Sequence, residues 1–485
     1  MLELTIYAAG DKPLYQQLYE SLAEQIRSGE LKKGTRLPGK RSLASQLAVA
    51  VNTVDTAYQM LVAEGYLEAR ERSGFFVLEY TGILPQTAEM PKELSREEEP
   101  SPAPAPRFDL STGSVDTALF PFRTWGRIQK ELLYNGEELL CHGHRQGDAE
   151  LRRELAEYLR AYRGVVCSPE QVVVGAGVEY LLGLLAQLLQ DRAGLAGRTA
   201  AIENPGYDRP RTILENNGIP CRCVDIDEGG LDPVGLEESG ADLCYVTPSH
   251  HFPTGVTMPA GRRAQLLRWA SGKEGRYILE DDYDAEFRFD MRPLPSLQGL
   301  AGPDGRVVYL CTFSKSLAPS IRIACMVLPW GLLAAYRRAF GSYSSTVSRF
   351  EQQTLRLFLE GGYFTRHLAR MRGAYKARME KLAGALEDAF GRKNIRLSGR
   401  HTGLHLLLTL PDGPGEQAMI ESSLREGVKI RGLSEYYMER KDACPASSVI
   451  LGYASLKDGE IPELVESLRK AWLNPPPRPD TCLLR

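Results

Sequence analysis

One lysine in the chain is flanked by residue types that could support covalent chemistry. Lys315 ends the segment Thr312-Phe-Ser314-Lys315, which follows the apolar run VVYLC, and Arg322 comes seven residues later. A lysine at a strand end can be partly desolvated, which lowers the pKa of its amine and lets it attack an aldehyde. Arg322 could bind a phosphate through two parallel hydrogen bonds, with the hydroxyls of Thr312 and Ser314 as further donors. A lysine near an arginine is more often a surface pair, so this assignment depends on the neighbouring motifs.

The segment EDDYD offers a carboxylate and a phenol to an aromatic cofactor. Asp281 and Tyr283 follow the strand-like residues Tyr277 to Leu279. A carboxylate can pair with a protonated pyridine nitrogen, as an electron-withdrawing cofactor requires, and a phenol can donate to a ring oxygen. Taken alone, the motif could equally be an acidic loop or a divalent-metal site, and Asp282 is the neighbour that could be confused with Asp281.

Two glycine-containing turns add an anion site and an aromatic face. Gly177 and Val178 lie in GAGVEY, between a strand-like and a helical segment, where backbone N–H groups at a helix N-terminus could bind phosphate. The turn is not GxGxxG, so it gives little support to dinucleotide binding. In NPGY, Tyr207 could stack on a ring, and Arg209 two residues later could bind a carboxylate.

The elements that must position these motifs alternate along residues 108 onward. Short apolar runs such as VVVGAG, ADLCYVTPS and RYILEDDYD are separated by helical segments. This alternation predicts an α/β fold with a mainly parallel sheet and flanking helices. Ligands of such sheets bind beyond the carboxyl ends of the strands, which is where the four motifs fall.

The first 80 residues predict a separate unit of three short helices and an extended segment. Apolar residues recur at every fourth position from Leu14 to Ile26, a second helix runs from Ser42 to about Leu47, and Asn52-Thr53 could cap a third. Residues Tyr66 to Tyr80, with Gly74 at their bend, complete a winged helix-turn-helix.

Charge restricts how this unit could bind nucleic acid. The chain has 59 Lys and Arg against 62 Asp and Glu, a net charge of -3, which excludes binding through a global positive field. Between Leu31 and Val54, however, five residues are basic and none is acidic. This local stretch precedes the third helix and could contact phosphates on either side of a groove.

The string LKKGTRLPGKRSLASQLAVAVNTVDTAYQMLVAEGYLEARERSGFFV resembles the winged helix-turn-helix of the GntR family. The resemblance implies that the partner is double-stranded promoter DNA. The residues expected to contact it are Arg36, Lys40, Arg41, Asn52, Thr53, Thr56, Tyr58, Arg72 and Gly74. The family usually has Ser-Arg where this chain has Ala50-Val51, so a helix cap and a DNA-contacting arginine are missing.

The four motifs of the larger unit together resemble fold-type I pyridoxal-phosphate enzymes of the aspartate aminotransferase superfamily, over about Phe108 to Leu473. The resemblance implies a fold-type I transferase domain with a small C-terminal α/β subdomain, and pyridoxal 5'-phosphate as cofactor. Lys315 would be the catalytic residue, because it would form the Schiff base. The other cofactor-binding residues that it implies are Asp281, Tyr283, Tyr207, Gly177, Val178, Thr312, Ser314 and Arg322.

Two positions depart from the aminotransferase pattern. Phe252 stands where Asn-Pro-Thr-Gly enzymes have the asparagine that bonds the ring oxygen, and Leu451 stands where they have an arginine for the substrate carboxylate. Both losses should weaken turnover more than binding. Arg209 and Arg431 are the expected substitutes for recognising a carboxylate.

A GntR-type unit joined to an aminotransferase-like unit, with PSHxxPTG in place of the asparagine motif, resembles the MocR/GabR family of bacterial transcription regulators. The resemblance implies a homodimer and a small amino acid or amine as effector. The leading hypothesis is a DNA-binding regulator that senses this effector through pyridoxal phosphate. The alternatives are a working aminotransferase with an accessory DNA-binding domain and a repressor that senses the cofactor level itself.

The predicted boundaries are 1–82 for the DNA-binding domain, 83–107 for a Pro-rich linker, 108–475 for the aminotransferase-like domain and 476–485 for a tail. No signal peptide or membrane span is expected, and the scattered cysteines suggest a cytoplasmic protein. Cys141, His142 and His144 lack a carboxylate partner, so we expect no metal site.

Overall fold

The computed structural model describes residues 12–70, 73–80, 106–192, 197–289 and 294–473. The chain divides into two compact units, Met1–Ala103 and Pro104–Arg485. Most of the predicted linker 83–107, the whole predicted tail 476–485 and Arg72 lie outside the described residues. Each unit has its own hydrophobic core.

Over its described residues, the small unit has three helices followed by a two-stranded hairpin. Its elements are α1 (Leu14–Arg27), α2 (Lys40–Gln46), α3 (Val51–Ala63), β1 (Leu67–Arg70) and β2 (Gly74–Val77). The apolar side of α1 packs into the core with α3 because its buried residues recur at the helical period. The winged helix-turn-helix predicted from the sequence is therefore present, with β1 and β2 as the antiparallel wing.

The start of α3 differs from the sequence prediction. The helix begins at Val51, and Ala50 precedes it without a side-chain cap. Asn52 and Thr53 lie inside the first turn, so the expectation that they cap the helix is wrong. The alanine side chain has no oxygen to accept a hydrogen bond from the first-turn N–H groups, although the Thr53 N–H donates to the Ala50 backbone carbonyl at 3.0 Å.

The large unit contains the remaining helices and strands. The helices are α4 (Phe122–Asn135), α5 (Ala149–Arg163), α6 (Val178–Gln187), α7 (Asp208–Asn216), α8 (Pro233–Glu238), α9 (Ala260–Ser271), α10 (Leu297–Ala301), α11 (Trp330–Ala339), α12 (Arg349–Glu360), α13 (Tyr363–Phe390), α14 (Glu416–Arg425) and α15 (Ile461–Leu473). The strands are β3 (Phe108–Asp109), β4 (Val172–Gly175), β5 (Ala200–Asn204), β6 (Cys221–Asp227), β7 (Gly230–Leu231), β8 (Leu243–Val246), β9 (Tyr277–Asp282), β10 (Val307–Thr312), β11 (Ala324–Val327), β12 (Arg396–Ser398), β13 (His405–Thr409), β14 (Val428–Lys429), β15 (Arg431–Gly432) and β16 (Ser448–Gly452).

In the part of the chain that the structure describes, the central sheet has eight strands in the order β4, β11, β10, β9, β8, β5, β6 and β7. Strands β10, β9, β8, β5 and β6 are parallel, and β11, β4 and β7 pair antiparallel at the two sides. The mainly parallel α/β sheet predicted from the sequence is confirmed. Because β5, β8, β9 and β10 run the same way, the residues at their carboxyl ends meet at one edge of the sheet.

A smaller C-terminal layer packs on helices α13, α14 and α15. Strands β12, β13, β16 and β15 form an antiparallel sheet, and its apolar residues share a core with the long helix α13. Leu451 of β16 is fully buried in this core. The small C-terminal subdomain expected from the sequence is therefore also present.

Candidate functional site

A cavity of about 500 Å³ lies at the carboxyl ends of the parallel strands. Every residue assigned from the sequence to a cofactor or a carboxylate lines it, with the exception of Gly177, which precedes α6. Those lining residues are Val178, Tyr207, Arg209, Asp281, Tyr283, Thr312, Ser314, Lys315, Arg322 and Arg431. Motifs that are widely separated in the chain thus meet in one site, as we expect when parallel strands end at a common edge.

Lys315 follows β10 and projects its amine into the cavity. Its Nζ donates a hydrogen bond to the backbone carbonyl of Thr112. Burial lowers the pKa of Lys315 to about 8, while the negative charge of Asp284 opposes that shift. At neutral pH, a larger fraction of this amine is therefore uncharged and nucleophilic than for an exposed lysine.

Asp281 near the end of β9 is a buried carboxylate that lacks one partner. Its Oδ2 accepts a hydrogen bond from the Tyr245 hydroxyl, whereas its Oδ1 has no hydrogen-bond partner among the residues that the structure describes. Burial raises the pKa of Asp281 to about 7, and the charges of Asp282 and Asp284 act in the same direction. A protonated ring nitrogen in the cavity would satisfy this oxygen and favour its ionised form.

Asp282 has a structural role instead. Its Oδ2 accepts hydrogen bonds from the Arg163 guanidinium and, at 2.7 Å, from the Tyr309 hydroxyl. All three side chains are buried, and Asp282 does not line the cavity. The alternation of side chains along a strand explains why neighbouring aspartates face opposite sides of the sheet.

Another group of residues at the cavity forms an anion cradle. Gly177 has φ +99° and precedes the first residue of α6, and a Cβ there would collide with Arg322 Nη2. Arg322 Nη2 lies 3.3 Å from the carbonyl oxygen of Ala176. The hydroxyls of Thr312 and Ser314, which also line the cavity, are 2.8 Å apart. A helix N-terminus, a guanidinium and two hydroxyls are the donors that a phosphate prefers.

Sequence reasoning missed Glu179, a carboxylate in the first turn of α6. Its Oε1 is 2.5 Å from Arg209 Nη1, and its Oε2 is 3.3 Å from Arg322 Nη2. Because the residue lies in the GAGVEY turn, its position was visible in the sequence, but its partners come from distant segments. Arg431 is similarly paired, with Nη1 3.3 Å from Glu435 Oε2.

An aromatic group forms another wall of the cavity. The Tyr207 and Phe252 ring centroids are 5.8 Å apart at 80°, and the Arg209 guanidinium lies 5.7 Å from the Tyr207 ring centroid. Phe252, at the position where aminotransferases have asparagine, also lines the cavity. Leu451 does not reach it, because this side chain is buried in the C-terminal core.

Two further residues that sequence reasoning left without a role adjoin Tyr283. Its hydroxyl oxygen is 3.0 Å from His250 Nδ1, which is 2.8 Å from Asp284 Oδ2. Both His250 and Asp284 are buried. The PSHH and EDDYD motifs contained these residues, but only the fold brings them into contact.

In the small unit, most of the predicted DNA contacts are accessible to at least some degree. Arg41, Asn52 and Thr56 lie on α2 and α3, and Arg36 lies before α2. Thr53 and Gly74 are partly buried, and Gly74 has φ +104° at the start of β2. These positions belong to the elements that a winged helix-turn-helix presents to DNA.

Two predicted contacts have different surroundings. Tyr58 is fully buried, and its hydroxyl donates to the Pro38 carbonyl at 2.9 Å, so the prediction that it contacts DNA is wrong. It lies on the inner side of α3, where an aromatic ring fills the core. Lys40 is partly buried, forms an ion pair with Asp55 and lies 5.1 Å from the Phe75 ring centroid.

Two family models match the chain, one for each unit. The model of the gntR family of bacterial regulatory proteins matches residues 14–77, and that of aminotransferase class I and II matches residues 106–468. The chain is therefore a GntR-type DNA-binding unit joined to an aminotransferase class I and II unit. It belongs to the MocR-like family of HTH-type transcriptional regulators, as its full-length relatives establish.

One relative is the HTH-type transcriptional regulator YdeL of Bacillus subtilis, which is 38% identical over 95% of this chain and 97% of its own length. Another is the probable rhizopine catabolism regulatory protein MocR of Rhizobium meliloti, which is 34% identical over 96% of this chain and 94% of its own. Among solved structures, the α-aminoadipate aminotransferase LysN of Thermus thermophilus is 26% identical, with a TM-score of 0.64, over 75% of this chain and 91% of its own. That structure is a complex with N-(5'-phosphopyridoxyl)-L-leucine.

Among the described residues, no group of three or more His, Cys, Asp or Glu side chains could hold a metal ion. None of the described helices has both the length and the apolar character needed to cross a bilayer.

Proposed function

We propose that this regulator binds pyridoxal 5'-phosphate in the large unit and changes its DNA binding when an amino acid or amine enters the same cavity. The observation that supports this proposal best is the unpartnered Oδ1 of Asp281, within the described residues, in the cavity that Lys315 also lines. A buried carboxylate oxygen without a donor is costly, and the ring nitrogen of the cofactor supplies that donor. The anion cradle at Gly177 and Arg322 gives a place for its phosphate.

Different residues of the cavity would bind different parts of this cofactor. Lys315 and Asp281 meet its aldehyde and its ring nitrogen, Tyr207 contacts the ring, and Tyr283 donates to the ring oxygen. The backbone of Val178, at the start of α6, and the other cradle residues, Gly177, Thr312, Ser314 and Arg322, hold the phosphate. When bound, the cofactor supplies an aldehyde that reacts reversibly with amines and a ring that withdraws electrons.

The effector is proposed to enter beside Arg209 and Arg431. Both guanidiniums line the cavity, and each is paired with a carboxylate of the chain, Glu179 or Glu435. Both ion pairs are exposed and contribute little to stability, so a ligand carboxylate can displace Glu179 or Glu435 from its arginine. Amino acids would therefore bind more tightly than amines that lack a carboxylate.

A homodimer is proposed because the large unit exposes apolar side chains along α4 and the turn that follows. Phe122, Leu133, Tyr134 and Leu140 are each 66% to 77% exposed. Apolar side chains concentrated in this way are typical of protein interfaces. A symmetric dimer would also present two winged units to two DNA half-sites.

The test begins with the near-visible absorption of the purified protein loaded with pyridoxal phosphate. The absorption band of the covalently bound cofactor should form with the wild type and with Lys393→Ala, which alters an exposed lysine. It should not form with Lys315→Ala. The loaded protein is then titrated with amino acids and amines while DNA affinity is measured on a promoter fragment. A wild type that forms no band contradicts the proposal.

The same titration separates the competing hypotheses. A band that shifts with one amino compound and stays shifted, together with changed DNA affinity, supports a sensor. Bleaching that a 2-oxo acid reverses over many turnovers identifies an aminotransferase. DNA affinity that responds to the cofactor alone identifies a sensor of cofactor level.

A further inference from the structure

Tyr283, His250 and Asp284 form a buried polar chain beside the cavity. His250 Nδ1 lies 3.0 Å from the Tyr283 hydroxyl oxygen and 2.8 Å from Asp284 Oδ2. The His250 and Asp284 side chains are only 1% and 2% exposed, and of the three residues Tyr283 and Asp284 line the cavity whereas His250 does not. His250 therefore has no free surface to offer a ligand, but it contacts the phenol that does.

The hydrogen that His250 carries determines what Tyr283 can do. A carboxylate oxygen accepts hydrogen bonds, so in the contact between His250 Nδ1 and Asp284 Oδ2 the nitrogen carries the hydrogen and donates it. A nitrogen that already carries a hydrogen cannot accept one from the phenol. The Tyr283 hydroxyl can then donate its hydrogen to a ligand atom in the cavity. Without such a ligand, it can donate to Asp284.

The residues packed around His250 fix the position of its imidazole ring. A Cβ on Gly403, which has φ +77°, would collide with His250 Cε1, so a larger residue at position 403 would displace the ring. The His405 ring centroid is 4.8 Å from that of His250, and Phe252 packs against His405 at 5.3 Å. Phe252 offers a ring and no donor at the position where aminotransferases have asparagine.

We infer that His250 and Asp284 are positioning residues that aim the Tyr283 hydroxyl at the ring oxygen of the cofactor. They compensate for the donor that Phe252 does not supply. The inference rests on the proposed binding of pyridoxal phosphate and adds the two residues that determine the orientation of its phenolic partner. The effect of His250 passes through Tyr283, whereas Asp284 also lines the cavity and its charge acts on Lys315.

A donor to the ring oxygen favours the form in which that oxygen is negatively charged. Loss of this donor should raise the pH midpoint of the deprotonation that changes the absorption of the bound cofactor. Several other groups near His250 also influence this midpoint. They are Tyr283 and Asp284 of the polar chain itself, His251 next to it and His405 of β13, on which the charge of Lys315 acts in turn.

The experiment compares this midpoint, by absorption, in full-length protein loaded with pyridoxal phosphate. Tyr283→Phe should raise it by about one unit, the scale of one hydrogen bond to a charged group. His250→Phe should raise it by a similar amount, while His250→Asn, whose amide nitrogen can take the place of Nδ1, should stay near the wild type. The double variant His250→Phe/Tyr283→Phe should match Tyr283→Phe alone.

Four outcomes overturn the inference. One is a midpoint unchanged by His250→Phe when Tyr283→Phe shifts it; another is additive shifts in the double variant. If His250→Phe does not fold, Asp284→Asn takes its place, and an unchanged midpoint there also contradicts the inference. A wild type that binds no pyridoxal phosphate overturns the proposed function as well, which distinguishes that failure from the others.

Discussion

Arg209 and Glu179 form an ion pair on the wall of the cavity, with Arg209 Nη1 2.5 Å from Glu179 Oε1. The other oxygen of Glu179 lies 3.3 Å from Arg322 Nη2. One carboxylate thus connects the arginine assigned to the cofactor phosphate with an arginine assigned to the effector. An incoming carboxylate must compete with Glu179 for Arg209.

Glu179→Gln should therefore increase the affinity for amino acids. The side chains of the pair are 62% and 44% exposed, and such a pair contributes at most about 1 kcal/mol, so the gain should not exceed about fivefold. The measurement is an absorption titration of the loaded protein with an amino acid and with the matching amine that lacks the carboxylate. The amine should show no comparable gain.

A matched control is available on α7. Arg211 and Glu215 form a similar pair at 2.9 Å, and neither lines the cavity. Glu215→Gln should leave both affinities unchanged. Equal gains for amino acid and amine with Glu179→Gln would contradict competition for Arg209.

In the small unit, Arg41→Ala should weaken DNA binding more than Lys40→Ala. Arg41 is exposed, whereas the ammonium of Lys40 is already paired with Asp55. Loss of one phosphate contact should reduce the slope of log affinity against log salt by about one. Fluorescence anisotropy at several salt concentrations measures both variants, and equal slope changes would show that Lys40 leaves Asp55 to bind DNA.

Tyr58→Phe should affect stability and leave DNA affinity nearly unchanged. The substitution removes the hydrogen bond to the Pro38 carbonyl but keeps the buried ring, so the free energy of unfolding should fall by about 1 kcal/mol. Urea unfolding measures this change. A loss of DNA affinity in protein that remains as stable as the wild type would instead indicate that Tyr58 contacts DNA.

The sequence predicted the fold and the main cavity because their signals are local. Apolar runs define the parallel strands, and Lys315, Asp281 and Arg322 lie at fixed places relative to strand ends or turns. Tyr58 was misplaced because a motif gives the type of residue and not the side of the helix it occupies. Packing against the first helix and the wing decides that Tyr58 is buried.

The partners of the site residues could not be predicted in this way. Glu179 meets Arg209 and Arg322 only after α6, α7 and the loop before β11 come together. His250 reaches Tyr283 from a different strand end. Such contacts depend on side-chain rotamers and tertiary packing, and no periodicity in one segment encodes them.

Asp281→Asn should change how the stability of the cofactor-free protein depends on pH. Burial raises the pKa of Asp281 to about 7 from its ordinary value of 3.8, so the unfolded chain gives up this proton at lower pH than the folded one. The free energy of unfolding should therefore fall as the pH rises from about 4 to about 7, by up to about 4 kcal/mol from this group. Asn cannot ionise, so its curve should lack that part. Glu286, which titrates in the same region, contributes to both proteins, and the pKa of Glu203 is lower in the variant because the charge of Asp281 is gone. Urea unfolding across this pH range measures the difference, and parallel curves for the two proteins would contradict the pKa assigned to Asp281. Added pyridoxal phosphate should flatten the wild-type curve, because a protonated ring nitrogen beside Asp281 lowers the pKa of that carboxyl.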